Sequence, residues 1–175
     1  ITIVREIYPK LIFIGEVYNT TQSHLYINSG FDFLYDKVGM YDCLRDVICG
    51  FRSASSISYQ WQLTDDIHDH LLYFLENHDE QRIASDFFCN DGFKAIPAII
   101  VGALMRKNPF MLYAGQEYGE QGMDKEGFSG VDGRTSIFDY WTIRSLYYGY
   151  FDRQNLSHEK KSLENKYRQI LSIAN

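Results

Sequence analysis

The chain has 175 residues, 45% of them apolar and 23% charged, with a formal net charge of −6. That length and balance fit a single domain with a real core and exclude a disordered tail. The acidic balance argues against a nucleic-acid partner, whose phosphates it would repel, and no apolar run approaches the roughly 18–20 residues that a membrane span requires.

The chain opens on Ile1, with neither an initiating Met nor a charged-then-apolar leader, and so reads as part of something longer. Four short apolar runs have strand character: "LIFIGEV" (11–17), "FDFLYD" (31–36), "LLYFLENHD" (71–79) and "PFMLYAGQE" (109–117). Their nearly continuous apolar character is that of strands covered on both faces in a parallel sheet. Helical patterns lie between them at 40–50, 57–70 and 93–108, the last with Pro97 in its first turn and Arg106 and Lys107 at its end. A final helix is predicted over 163–175, where Leu163, Tyr167, Ile170, Leu171 and Ala174 recur at helical spacing.

Strands alternating with helices indicate βαβ units and a parallel sheet. Four such units amount to half of a (β/α)8 barrel, whose usual size is about 250 residues. The chain is therefore predicted to be one fragment, 1–175. The segment 115–141 is long, Gly-rich and acidic, and reads as a functional loop.

Three cysteines, Cys43, Cys49 and Cys89, are an odd number without C-x-x-C spacing, which suits neither a disulfide framework nor a zinc site. Aromatic residues make up 16% of the chain. They fill a core or line a groove for a flat-faced ligand such as a sugar.

Each predicted strand finishes near an acid: Glu16, Asp36, Asp79 and Glu117. In barrels and open α/β sheets the carboxyl edge carries the active site. For Asp36 the simpler expectation is a helix N-cap or a solvated loop acid. Paired carboxylates over one cleft suit glycosyl transfer, one protonating the leaving oxygen while ionised partners stabilise an oxocarbenium-like transition state. Tyr18 and Tyr113 stand nearby to stack on sugar faces, and Asn77 and His78 to hydrogen-bond hydroxyls. Other chemistries lack their motifs: there is no G-x-S-x-G, and Gly115, Gly119 and Gly122 match neither a Rossmann nor a P-loop pattern. The "DDIHDH" stretch (65–70) has no metal-site spacing and reads as a solvated helix end.

Read together, "FIGEVYN" (13–19), "FLENHD" (74–79) and "NPFMLYAGQEYG" (108–119) resemble glycoside hydrolase family 13, the α-amylase family, in the right order along the chain. "GFDFLYDKVGMYDCLR" (30–45) and "DGRTSIFDYW" (132–141) resemble its bacterial members that act on α-glucans. The resemblance implies strands five to eight of the catalytic barrel. It makes Glu16 the acid/base and Asp79 the transition-state stabiliser, with His78, Asn77, Tyr18 and Arg82 as sugar contacts. Glu16 should then need its pKa lifted by burial and neighbouring carboxylates. The family's nucleophile, an aspartate closing strand four, has no counterpart here, so the fragment alone is expected to be inactive. No cofactor and no metal are implied. The implied partners are an α-glucan or maltooligosaccharide and the missing first half of the barrel, or a second copy, with no nucleic acid and no membrane. A non-catalytic carbohydrate-binding or assembly fragment, or a transglycosylase of the same family, stays open beside the hydrolase.

Overall fold

The computed structural model describes residues 1–127 and 129–174. Phe128, in the predicted loop, and Asn175, at the end of the last predicted helix, lie outside the described residues. The chain forms two compact units: Ile1–Phe74 with Arg106–Met111, and Leu75–Met105 with Leu112–Asn175.

All four strands belong to the first unit. They are β1 (Ile14–Gly15), β2 (Phe33–Tyr35), β3 (Leu71–Phe74) and β4 (Phe110–Met111), parallel throughout and in the order β1-β2-β3-β4. A sequential parallel order without reversal is that of a singly wound barrel, here half of one, and not that of a doubly wound sheet. Every strand is shorter than its apolar run, because backbone pairing ends before the hydrophobicity does. Leu75, for example, is fully buried although β3 has already ended.

One sheet face carries a ring cluster of Tyr41, Leu72 and Phe74, with Phe33, Tyr35 and Met111 packed against it. Phe74 stacks on Tyr41 at 5.1 Å between centroids and meets Tyr35 at 5.0 Å. Such ring pairs contribute about 0.5–1.5 kcal/mol each beyond their area. Tyr41 reaches the cluster through a π-helical turn, Lys37–Tyr41, that runs directly into α3 (Asp42–Ile48). The helix predicted from residue 40 therefore starts earlier, and wider, than its pattern indicates. The 57–70 pattern resolves into α4 (Ser55–Leu63) and a 3₁₀ turn, His68–His70. Two short helices carry no sequence signal: α1 (Thr2–Ile7), with no buried residue, and α2 (Ser23–Asn28), with only Ser23 buried. Before β4, the Asn108 side-chain amide donates to the Leu71 carbonyl at 2.8 Å and to that of His68.

The second unit is helical. A 3₁₀ turn, Gly92–Ala95, is capped by Asp91, whose carboxylate accepts from the Phe93 N–H at 2.8 Å, and it leads into α5 (Ile96–Leu104). The buried face of α5, formed by Ala98, Ile99, Gly102 and Ala103, lies in the same unit as the buried stripe Leu163, Tyr167 and Ile170 of α7. The two helices pack together. The predicted loop 115–141 contains a 3₁₀ turn, Gln116–Tyr118, and is otherwise irregular: among the described residues, 119–143 holds neither helix nor strand beyond one isolated bridge, Gly127 to Gly130. The second helix of this unit, α6 (Arg144–Tyr150), lies directly after it, and α7 spans His158–Ala174.

Gly149 of α6 rests on the buried Tyr118 ring, where an added Cβ would lie 2.3 Å from Cε2. Gly149→Ala is expected to cost about 1–3 kcal/mol through overpacking. The check is the denaturant midpoint at unchanged slope.

Candidate active site

Glu16 follows β1 directly in the first unit. It is exposed, and the Tyr18 hydroxyl donates a hydrogen bond to its carboxylate. Tyr18 is itself 44% exposed. The burial expected around an acid/base glutamate is thus not supplied by this chain.

The "LENHDEQR" stretch lies in the second unit. As the chain leaves β3, it stays buried for three residues and then turns to the surface. Leu75, Glu76 and Asn77 are buried, whereas the His78 and Asp79 side chains are 37% and 40% exposed. Asn77 makes the turn: its Oδ1 accepts from the backbone N–H groups of Asp79 at 2.9 Å and Glu80 at 2.8 Å. This is an Asx turn, closed by the short amide side chain over the next two residues. It presents His78 and Asp79 side by side, with Nε2 and Oδ2 3.6 Å apart. Asn77, expected as a sugar contact, is 2% exposed and serves the turn instead.

Arg82 calls for a similar correction. It is 1% exposed, and each nitrogen of its guanidinium is engaged inside the protein. Nη1 donates to Glu76 Oε2 at 2.7 Å, while Nε and Nη2 donate to Thr135 Oγ1 at 3.1 and 2.7 Å. The flat of the group lies over the Tyr113 ring, 4.1 Å from its centroid. Its backbone N–H also donates to the Gly133 carbonyl at 2.6 Å. Arg82 therefore ties the strand-exit turn to the acidic loop and offers no donor to a sugar. Glu76 completes the anchor by accepting from the Ile83 N–H at 2.8 Å. Burial pushes the Glu76 carboxyl up, against the pull of the Arg82 charge. Sequence reasoning missed Glu76 and Thr135. An acid six residues before an arginine, at a strand exit, was the one available signal.

The other two strand-end acids also face inward. Glu117 is 5% exposed and accepts from the Gly115 N–H at 3.0 Å and the Tyr150 hydroxyl at 2.8 Å. Asp36 stands at the N-cap position of Lys37–Tyr41, one of its two expected places, but it is not solvated: it is 5% exposed, and its Oδ2 has no hydrogen-bond partner among the described residues. Burial lifts its pKa to about 6, opposed by the N–H groups of Met40 and Gly39. Of the four acids, then, Glu16 and Asp79 are the accessible ones. The "DDIHDH" end behaves as read: Asp65, Asp66 and Asp69 are exposed, and His24 pairs with Asp66 at 2.9 Å on the surface.

Because the Asp36 carboxyl binds its proton more tightly in the fold than its ordinary value of 3.8 would allow, it adds stability below about pH 4, and this is lost as pH rises through about 6. Its full size is about 3 kcal/mol. Asp36→Asn should abolish that decline, so that variant and parent diverge between pH 4 and 7 in urea melts. A parallel pair of curves would contradict the burial argument.

No protein-family model matches the chain, and no curated protein matches it. Among solved structures, an α-amylase from H. orenii is similar over 98% of this chain at 24% identity, with a TM-score of 0.62. The chain spans 37% of the length of that protein. A noncanonic maltogenic α-amylase, AmyB, from Thermotoga neapolitana matches 94% of this chain and 34% of its own at 22% identity, with a TM-score of 0.49. No helix among the described residues is long and apolar enough to cross a membrane.

Proposed function

We propose that this chain forms strands five to eight, with their helices, of the catalytic (β/α)8 barrel of a retaining α-amylase-type glycoside hydrolase. The observation that carries the reading is the exposure of Glu16 and Asp79 alone among the strand-end acids, in a chain whose fold resembles that of an α-amylase over nearly its whole length.

In this reading Glu16 protonates the glycosidic oxygen as the bond breaks. An aspartate from the other half of the barrel takes the anomeric carbon and holds the glycosyl unit. Glu16, now ionised, deprotonates the water that releases it. Asp79 stabilises the positive charge that builds on the ring, and His78 beside it hydrogen-bonds a ring hydroxyl. Tyr18 fixes the Glu16 carboxylate through its own hydroxyl. The burial that Glu16 lacks here comes from the other half and from the substrate. Alone, the chain is inactive, because it holds no nucleophile. The sheet edges at β1 and β4 and the half-exposed Ile14 on β1 fit the same picture, since open edges and apolar edge residues seek a partner.

The test is turnover of maltooligosaccharides by this chain combined with a matching first barrel half, following the anomeric form of the first product. Turnover with retention supports the proposal. Saturable glucan binding with no turnover, indifferent to the side chain at position 16, would replace the hydrolase by a binding fragment. Predominant glycosyl transfer to sugar acceptors would place the activity with the transglycosylases.

A further inference from the structure

A cavity of about 470 Å³ lies wholly within the first unit, and the catalytic reading makes no use of it. Its lining is mixed: Leu34, Leu63, Ile67 and Leu71 supply apolar wall, while Thr20, Thr21, Ser23, Gln60 and Thr64 supply hydroxyl and amide groups. Asp36 lines it too, and this is the buried carboxylate whose Oδ2 has no hydrogen-bond partner among the described residues. Buried polar atoms are nearly always partnered, so an orphaned carboxylate oxygen beside a cavity of ligand size points to a missing donor.

The backbone leaves room for the carboxyl group that carries it. A Cβ at position 39 would lie 2.1 Å from Asp36 Oδ1 and 2.7 Å from Gln60 Nε2, so only glycine leaves the carboxyl its place. Asp66 stands at the exposed side of the cavity, paired with His24. Two carboxylates disfavour an anion. A bare metal ion needs several converging ligands, and among the described residues no group of three His, Cys, Asp or Glu side chains close enough to share one includes Asp36. A wholly apolar ligand would leave Asp36 unpaired.

We infer that this cavity binds a small organic ammonium group, its charged nitrogen hydrogen-bonded to Asp36 and its short apolar body against Leu34, Leu63, Ile67 and Leu71. The inference stands apart from the hydrolase reading, because it concerns a different cavity and needs no turnover. A free alkylamine and a lysine side chain share this chemistry.

The experiment titrates the protein with n-butylammonium, neutral n-butanol and Nα-acetyl-lysine methylamide, following the backbone amide of Gly39 by NMR. Saturable shifts with butylammonium, and weaker ones with butanol, are expected. The lysine derivative binding more tightly than butylammonium would identify a peptide lysine as the occupant, and the reverse a free amine. Both results support the site. Asp36→Asn should weaken ammonium binding by about ten-fold or more, the worth of one charge-assisted hydrogen bond. Should that variant fail to fold, Val38→Phe is the second arm. Val38 lines the cavity and is 48% exposed, so the larger ring narrows entry and should abolish binding at unchanged melting temperature. No saturable shift with either cation, or equal binding of butanol and butylammonium, would overturn the inference and leave a cavity filled by water.

Discussion

Glu16→Gln, made in the reassembled barrel, is expected to lower kcat on maltooligosaccharides by about 10²–10⁴-fold, the usual worth of a positioned acid/base, with KM little changed. Glutamine keeps the shape of glutamate and still accepts from the Tyr18 hydroxyl, so the defect is confined to proton transfer. That confinement gives a sharper signature than the loss itself. A substrate whose leaving group is an acidic phenol needs no proton to depart, and its cleavage step should be much less affected. Asp79→Asn should slow both substrates alike, because it acts on ring charge and not on the leaving oxygen. Activity of Glu16→Gln within ten-fold of the parent on unactivated glucans would remove Glu16 from its role.

Arg82→Met is expected to destabilise the fold by about 3–5 kcal/mol, a large share of the roughly 5–15 kcal/mol that holds a domain together. The reason is what remains behind. Glu76 is 1% exposed, and without Arg82 it keeps the Ile83 N–H as its partner and loses the cation that offsets its burial. Its pKa must then rise further, so the variant should regain some stability as pH falls and the carboxyl is protonated. Replacing both members, Glu76→Leu with Arg82→Met, should recover most of the loss, since two apolar side chains leave no buried charge. Denaturant midpoints of the two single variants and the double variant decide it. A single-variant cost near zero would show that the pair anchors nothing.

β3 was readable because Leu71 to Phe74 are buried without exception, and a continuous apolar run has few other uses. α7 was readable from its stripe of Leu163, Tyr167 and Ile170. Strand ends were not, because apolar character reports burial whereas pairing reports backbone geometry, and the two part company at Leu75. α1 gave no signal because it buries nothing. Within the candidate site, the polar cluster "NHD" at the end of an apolar run was visible, but which of its side chains face inward was not. Asn77, Glu76 and Arg82 are polar letters like His78 and Asp79, and only the turn decides which of them face solvent. Asp36 misled for the same reason: nothing in its identity says that Gly39 clears a place for it indoors.

The chain leaves the first unit after Phe74, comes back for Arg106–Met111 and leaves again. β4 thus belongs to a body whose other strands were laid down before α5 existed. No single scission yields either unit entire, since a break before Leu75 strands β4 on the wrong piece. Genetic exchange at one crossover point would meet the same obstacle, so the two bodies are transmitted together or not at all.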